Sequence, residues 1–220
     1  PLGRPDWDCA GAIFTNNVGS FEKMKLRMLN GTHSMLAYVG FHCGHRYVRD
    51  VMNDKVLSNL VNRHLQIAAQ TLKPIKGIDY NNYAQSLVSR FSNPEIAHET
   101  FQIAMDGSEK MQQRIFYPLK DAISLNINIR PFAFAIAAWL RHISQSYHDC
   151  APYELRDPIA DQLSPLPKER SANSILEYLS RIGLLMDDLK CNKMFWGQVS
   201  DILNDMMCKP MKSIVEQEFK

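Results

Sequence analysis

From Phe21 to the C-terminus the sequence carries helical apolar periodicity and almost no strand signal, which restricts the chain to an architecture of packed helices. Windows at about 21–42, 45–53, 55–72, 79–92, 95–105, 109–125, 131–147, 172–183, 193–207 and 210–219 read as helices, parted by polar or Pro/Gly signals such as Lys73-Pro74 and Lys76-Gly77. Ser20 is the expected N-cap of the first helix, with Glu22 and Lys23 in its first turn. A single segment, Gly11 to Val18, reads as a buried strand. One strand is not stable alone, so it must pair late in the chain or belong to a sheet whose other strands lie elsewhere. The stretch from Asp149 to Arg170, with Pro152, Pro158, Pro165 and Pro167, reads as an extended connection.

Composition narrows the class. Of 220 residues 45% are hydrophobic and 22% charged, with a net charge of +2, so the chain can bury enough surface to offset its ordering entropy and is not disordered. The length fits one substantial domain. A near-neutral balance gives no electrostatic footprint for nucleic acid or an acidic membrane. The longest apolar run, Pro131 to Leu140, is half what a bilayer crossing requires and reads as a core helix. No secretory signal opens the sequence. The five cysteines, Cys9, Cys43, Cys150, Cys191 and Cys208, are scattered and form no C-x-x-C pair. That pattern argues against a disulfide framework and a structural zinc site, and it points to a reducing cytoplasm. His42, Cys43 and His45 lack a third ligand of suitable spacing, so no metal is expected.

The first helix holds the unusual chemistry. Asn30-Gly31-Thr32-His33-Ser34 interrupts an apolar pattern of Met24, Met28, Met35, Leu36 and Val39, and Gly inside a helix costs roughly 1 kcal/mol relative to Ala. A local rule broken inside a strong helix suggests a site. At about 100° per residue Lys25, His33 and Asn30 share one broad face, near 0°, 80° and 140°. An ammonium, an imidazole and a carboxamide there can converge on a small oxygen-rich ligand, and Gly31 permits a backbone or a cofactor ring to approach. A desolvated lysine would serve as general base, with Asn30 and His33 donating to the oxygen on which charge develops. A solvated helix face is the alternative reading of the same three residues. The sequon Asn30-Gly31-Thr32 is accidental in such a helix.

The stretch Phe21 to Gly40 resembles the Lys-x4-Asn-x2-His signature of the mannitol dehydrogenase family, the polyol-specific long-chain dehydrogenases and hexuronate reductases. Further matches run in order through Val51-Met-Asn-Asp54, Gly77-Ile-Asp-Tyr80, Arg90-Phe-Ser-Asn-Pro94, Gln102 to Lys110, Ala137-Ala-Trp-Leu-Arg141 and Asp157-Pro-Ile-Ala160. The resemblance leans toward the fructuronate reductase (D-mannonate oxidoreductase) branch rather than mannitol 2-dehydrogenase proper. It implies a mainly α, multi-helical domain of the 6-phosphogluconate dehydrogenase C-terminal-like kind over residues 21–220. Residues 1–20 would be a remnant of an N-terminal Rossmann domain, with its last strand. It further implies Lys25 as general acid/base, Asn30 and His33 as groups that polarise the reacting oxygen, and hydride transfer with NAD or NADP and without a metal.

Lys110 matches a position that contacts the far end of the substrate, and Gln102 stands where polyol-oxidising members carry an arginine. Arg114 is a candidate partner for a substrate carboxylate, with a surface ion pair as the alternative. No G-x-G-x-x-G occurs in the sequence, so the expectation is the C-terminal half of an enzyme. Its partners would be a sugar acid or polyol, the missing Rossmann domain and, through the exposed interdomain surface, a second copy of the chain. The competing expectation is a stand-alone helical binding or assembly domain without catalysis.

Overall fold

The computed structural model describes residues 3, 5–145, 152–163 and 171–219. Its axis is the run that reads as a core helix, α9 (Arg130–Ser144), in which every residue from Pro131 to Ile143 is buried. Pro131 sits in the first turn, where a missing N–H costs nothing. Four alanines, Ala133, Ala135, Ala137 and Ala138, thin the helix so that neighbours approach closely. Against it pack α2 (Thr32–His42) and α13 (Lys193–Cys208).

The remaining helices wrap this centre. In the first half they are α1 (Val18–Met24), α3 (Val48–Asn53), α4 (Lys55–Gln70), α5 (Tyr80–Phe91), α6 (Thr100–Ala104), α7 (Gly107–Met111) and α8 (Tyr117–Ser124). In the second they are α10 (Ala160–Leu163), α11 (Ala172–Arg181), α12 (Asp187–Lys190) and α14 (Met211–Gln217). Side-chain caps start several of them: Asp54 accepts from the backbone N–H groups of Val56 and Leu57, Asp79 from Asn81 and Asn82, and Asn192 from Phe195. The C-terminus is locked by Glu218, whose side chain is 3% exposed and takes Arg63 at 2.6 Å and Arg130 at 2.5 Å.

Three expectations change. Gly11 to Val18 is not a strand, and no strand forms among the described residues: a 3₁₀ turn over Trp7–Ala10 ends at Gly11, and α1 already starts at Val18. With no neighbouring strand to pair, the segment leaves Ile13 and Val18 63% and 64% exposed. Ser20 lies inside the first turn of α1 rather than capping it, and its hydroxyl donates to Asn17 Oδ1 at 2.8 Å. The helix expected over 95–105 shrinks to α6, because the chain after Pro94 pairs with residues 46–48 instead. Val48 N–H donates to His98 C=O at 3.0 Å, and Thr100 N–H to Arg46 C=O at 2.9 Å.

Within the expected connection, residues 152–159 are irregular and α10 adds one helical turn. Residues 149–151 and 164–170, including Cys150, Pro165 and Pro167, lie outside the described residues. Cys9, Cys191 and Cys208 are free thiols. Among the described residues no helix is long and apolar enough to cross a membrane.

Candidate functional site

The expected first helix is continuous in direction but not in hydrogen bonding. Between α1 and α2 the chain widens into a π-helical turn, π1 (Lys25–Gly31), and a second such turn, π2 (Gln112–Phe116), joins α7 to α8. The two pack against each other. Pro118 explains the second: in an α-helix its ring would clash with the carbonyl of residue 114 and its missing N–H would leave that carbonyl unbonded. Widening the turn relieves both problems. The displaced Arg114 carbonyl lies against Gly31, where a Cβ would stand 2.7 Å from its oxygen. Gly31 thus admits a backbone, not a cofactor ring, and π1 opens to receive it.

This widening re-registers the site. In a π-turn the hydrogen bond spans five residues, so Lys25 and Asn30 come nearer to one side of the turn than the 140° that separates them on an ideal α wheel. Lys25 is exposed and Asn30 half-buried. The described residues therefore do not supply the desolvation expected around Lys25. Buried Arg27, on the inner side of π1, donates to Thr71 C=O at 2.7 Å and pairs with Asp121 of α8, which fixes the turn from below. Burial alone would raise the Asp121 carboxyl, but the hydrogen bond and charge of Arg27, with Lys23 beside it, hold it below its ordinary value.

His33 opens α2 just beyond π1. Its ring lies 4.5 Å from that of Phe91 and meets His98 edge-on at 5.4 Å. Burial first, then the charges of His98, Arg90 and Arg114, push its pKa down to about 3, so the imidazole is neutral at ordinary pH, one nitrogen donating and the other accepting. Arg114 reaches the next residue, donating to Ser34 Oγ at 3.1 Å, and burial lowers its guanidinium from the ordinary value. His98 escapes sequence reasoning, Arg90 and Phe91 enter it only as part of a motif, and Ser34 only as the end of the polar run. The one sequence signal for His98 is proximity to Pro94, which ends the helical pattern before the chain turns His98 back toward α2.

Lys110 is already engaged: its ammonium donates to Met105 C=O at 2.7 Å and pairs with Asp106 at 3.2 Å in the corner between α6 and α7. Asp157 caps α7, accepting from the Ser108 N–H at 2.9 Å and from its hydroxyl, so the Asp157-Pro-Ile-Ala160 tetrapeptide serves to hold this corner. Gln102 is exposed on α6 and makes no hydrogen bond to the other candidate residues. Lys25, Asn30, His33 and Arg114 thus gather around the paired π-turns, whereas Lys110 and Gln102 sit on the α6–α7 side. A cleft of about 300 Å³ between α1 and α8, bordered by Gly19, Glu22, Leu26, Gln113 and Tyr117, adjoins the turns but takes none of the six. No group of three His, Cys, Asp or Glu side chains placed to hold a metal ion occurs among the described residues.

Comparison with known proteins identifies the fold. Residues 17–207 match the family model of the mannitol dehydrogenase C-terminal domain. The chain is 38% identical to the D-mannonate oxidoreductase of Escherichia coli over 200 residues, 90% of this chain and 41% of that protein. It is 33% identical to the mannitol 2-dehydrogenase of Aspergillus oryzae over 208 residues, 93% of this chain and 41% of that protein. Among solved structures, the Pseudomonas fluorescens mannitol 2-dehydrogenase in ternary complex with NAD and D-mannitol superposes with a TM-score of 0.89 at 26% identity. The match covers 99% of this chain and 44% of that one. The chain spans less than half the length of these relatives. Its helical architecture is that of their C-terminal domain, and by sequence and fold alike the chain belongs to the mannitol dehydrogenase family.

Proposed function

We propose that this chain is the catalytic and substrate-binding half of an NAD- or NADP-dependent dehydrogenase that interconverts a hexuronate or ketose with the corresponding sugar acid or polyol. The observation that carries the reading is the π-turn, which draws Lys25 and Asn30 toward one side of the helix just before a neutral His33. Residues 21–220 form the catalytic domain in this reading, and residues 1–20 lead from a nucleotide-binding domain. The exposed apolar side chains of that segment, Trp7, Ile13, Phe14 and Val18, mark the face on which that domain packs; a second copy of the chain is the competing occupant. The free thiols of Cys9, Cys191 and Cys208 go with a cytoplasmic location.

The residues present fit the reacting end of a nicotinamide cofactor and not its pyrophosphate. Lys25, Asn30 and His33 offer donors to one oxygen, whereas no strand, glycine-rich turn and helix N-terminus stand together among the described residues to receive phosphates. The nicotinamide, when bound, supplies or accepts the hydride. In the reducing direction the Lys25 ammonium gives its proton to the carbonyl oxygen, and the Asn30 amide and the His33 N–H donate to the same atom as charge builds on it. In the oxidising direction Lys25 Nζ takes the hydroxyl proton. A covering domain would exclude water from exposed Lys25 and strengthen each of these interactions. Lys110 and Arg114 bind the substrate away from the reacting carbon, with Gln102 at the rim.

The test is NADH oxidation with D-fructuronate, by the chain alone and combined with the N-terminal half of the E. coli D-mannonate oxidoreductase. The expected result is turnover only in combination, lowered about 10²–10⁴-fold by Lys25→Ala. Undiminished turnover in the Lys25 variant overturns the lysine mechanism, and turnover by the chain alone overturns the half-enzyme reading. Silence of both would favour the stand-alone binding domain.

A further inference from the structure

The proposed site leaves open whether its substrate is charged. Two guanidinium groups belong to the surroundings of His33: Arg114 on π2 is tied to the adjacent Ser34, and Arg90, in the last turn of α5, adjoins Phe91, whose ring lies 4.5 Å from the imidazole. Arg114 is half-buried, and its one hydrogen bond is to the neutral Ser34 hydroxyl. Neither guanidinium forms an ion pair among the described residues, although several other arginines do: Arg27 has Asp121, Arg46 has Glu99, and Arg63 and Arg130 share Glu218. A guanidinium carries five donors in a planar fork, so most of those of Arg114 are unspent in a partly desolvated place.

We infer that Arg90 and Arg114 form an anion subsite beside His33 that selects substrates bearing a carboxylate, sugar acids and hexuronates, over neutral polyols and ketoses. This inference rests on the proposed dehydrogenase reading of the same site. A carboxylate docked on Arg114 restores the missing counter-charge and accepts two parallel hydrogen bonds, which a hydroxyl of a polyol cannot do. Arg90, exposed at the end of α5, adds long-range attraction and orients the incoming anion. The tie from Arg114 to Ser34, adjacent to His33, fixes the distance between the carboxylate end and the reacting end of the substrate. Because the Arg114 carbonyl is locked against Gly31, the same residue joins the two π-turns through its backbone and reads the substrate through its side chain.

The experiment uses the 220-residue chain as it is. The ring signals of His33 are followed by NMR while D-mannonate or D-mannitol, which share a carbon skeleton and differ in charge, is added. The expected result is a His33 response to mannonate at a concentration at least about tenfold lower than to mannitol. Arg114→Gln should bring the two ligands within about twofold, and Arg90→Gln should narrow the gap less. Arg90→Gln, on an exposed helix end, keeps the test valid even if Arg114→Gln loosens the turn, and a thermal melt of each variant shows which is folded. Equal responses in the unmodified chain, or selectivity unchanged in both variants, overturn the anion subsite while leaving the His33 site intact. No response of His33 to either ligand overturns both the subsite and the reading beneath it.

Discussion

Helix α9 and the pair of π-turns are built from opposite kinds of residue and show what each kind can do. In α9 an unbroken ladder is apolar on every side from Pro131 to Leu140, and its alanines only set how near α2 and α13 may come. At π1 and π2 the ladder is interrupted by two residues of opposite backbone character: Gly31 lacks a Cβ and Pro118 lacks an N–H. The regular helix gives rigidity and no chemistry. The interrupted ones turn a carbonyl outward, bring Lys25 and Asn30 toward one side and aim Arg114 at Ser34. The chain thus keeps the polar groups of the proposed site where the ladder is interrupted, against a fully buried centre.

Acid should break both regions at once and so gives the largest effect. Burial, followed by nearby charges, lowers His33 and His142 to about 3, and burial lowers His64 to about 4. His142 is enclosed by His42, Tyr38, Phe41 and Tyr153, and His64 by Phe132 with Arg63 beside it. These pKa values are lower in the folded than in the unfolded chain, so the stabilisation is full above about pH 6.5. As pH falls from there toward 3–4 the unfolded state binds up to three more protons, and stability is lost at up to about 4 kcal/mol per pH unit. Urea unfolding at several pH values measures this. His142→Phe should remove one proton from the slope and spare the His33 ligand response, whereas His33→Asn should remove one proton and the response together. A slope that stays flat below pH 6 would sink the account.

Gly31→Ala comes next and discriminates between the regions directly. Its Cβ meets a backbone oxygen that cannot swing aside, so the cost should be about 3 kcal/mol in denaturant unfolding, with loss of the His33 response. The matched change in the centre, Ala135→Gly, enlarges nothing and should cost about 1 kcal/mol while leaving the site as it is. If the two variants proved equally mild, the packing of the π-turns would not be what holds the site. Arg27→Met should follow at about 2 kcal/mol: it strips Thr71 C=O and Asp121 of their partner, but Asp121 keeps access to water and to Lys23.

The same contrast marks what the sequence made legible. The periodicity of 131–147 and 193–207 places α9 and α13 to within a few residues, because a helix apolar on one or all sides needs no partner-specific detail. Lys25, Asn30 and His33 stand out because polar residues break an apolar stripe. Their mutual geometry does not, since an ideal wheel cannot show a turn widened by a contact 83 residues away, between Gly31 and Arg114. Pro118 was a readable sign of that turn, lying four residues past Arg114 inside an otherwise helical window. Gly11 to Val18 misled because a short apolar run bounded by glycines forms a strand only when another strand can bond to it. His98 and Phe91 reach His33 through tertiary folding of the 92–99 loop, for which local patterns carry no information.

Ser34→Ala is the smallest change and the sharpest probe of the site side of the comparison. The hydroxyl accepts one hydrogen bond from Arg114 at 3.1 Å and sits beside His33 on a helix that α9 already holds in place. Removing it takes away a charge-assisted bond worth about 1 kcal/mol net, and Ala suits the helix better than Ser, so the melting temperature should move by no more than a few degrees. The Arg114 fork, however, loses the contact that aims it. Mannonate should then need up to about tenfold more ligand to move the His33 signals, while the weaker response to mannitol stays where it was. Thr at this position keeps the oxygen and should restore most of the difference. A Ser34→Ala chain that melts early and loses both ligands alike would place Ser34 among the residues that merely hold the fold. A chain that melts normally and loses only its preference for the acid would make it a positioning residue for Arg114.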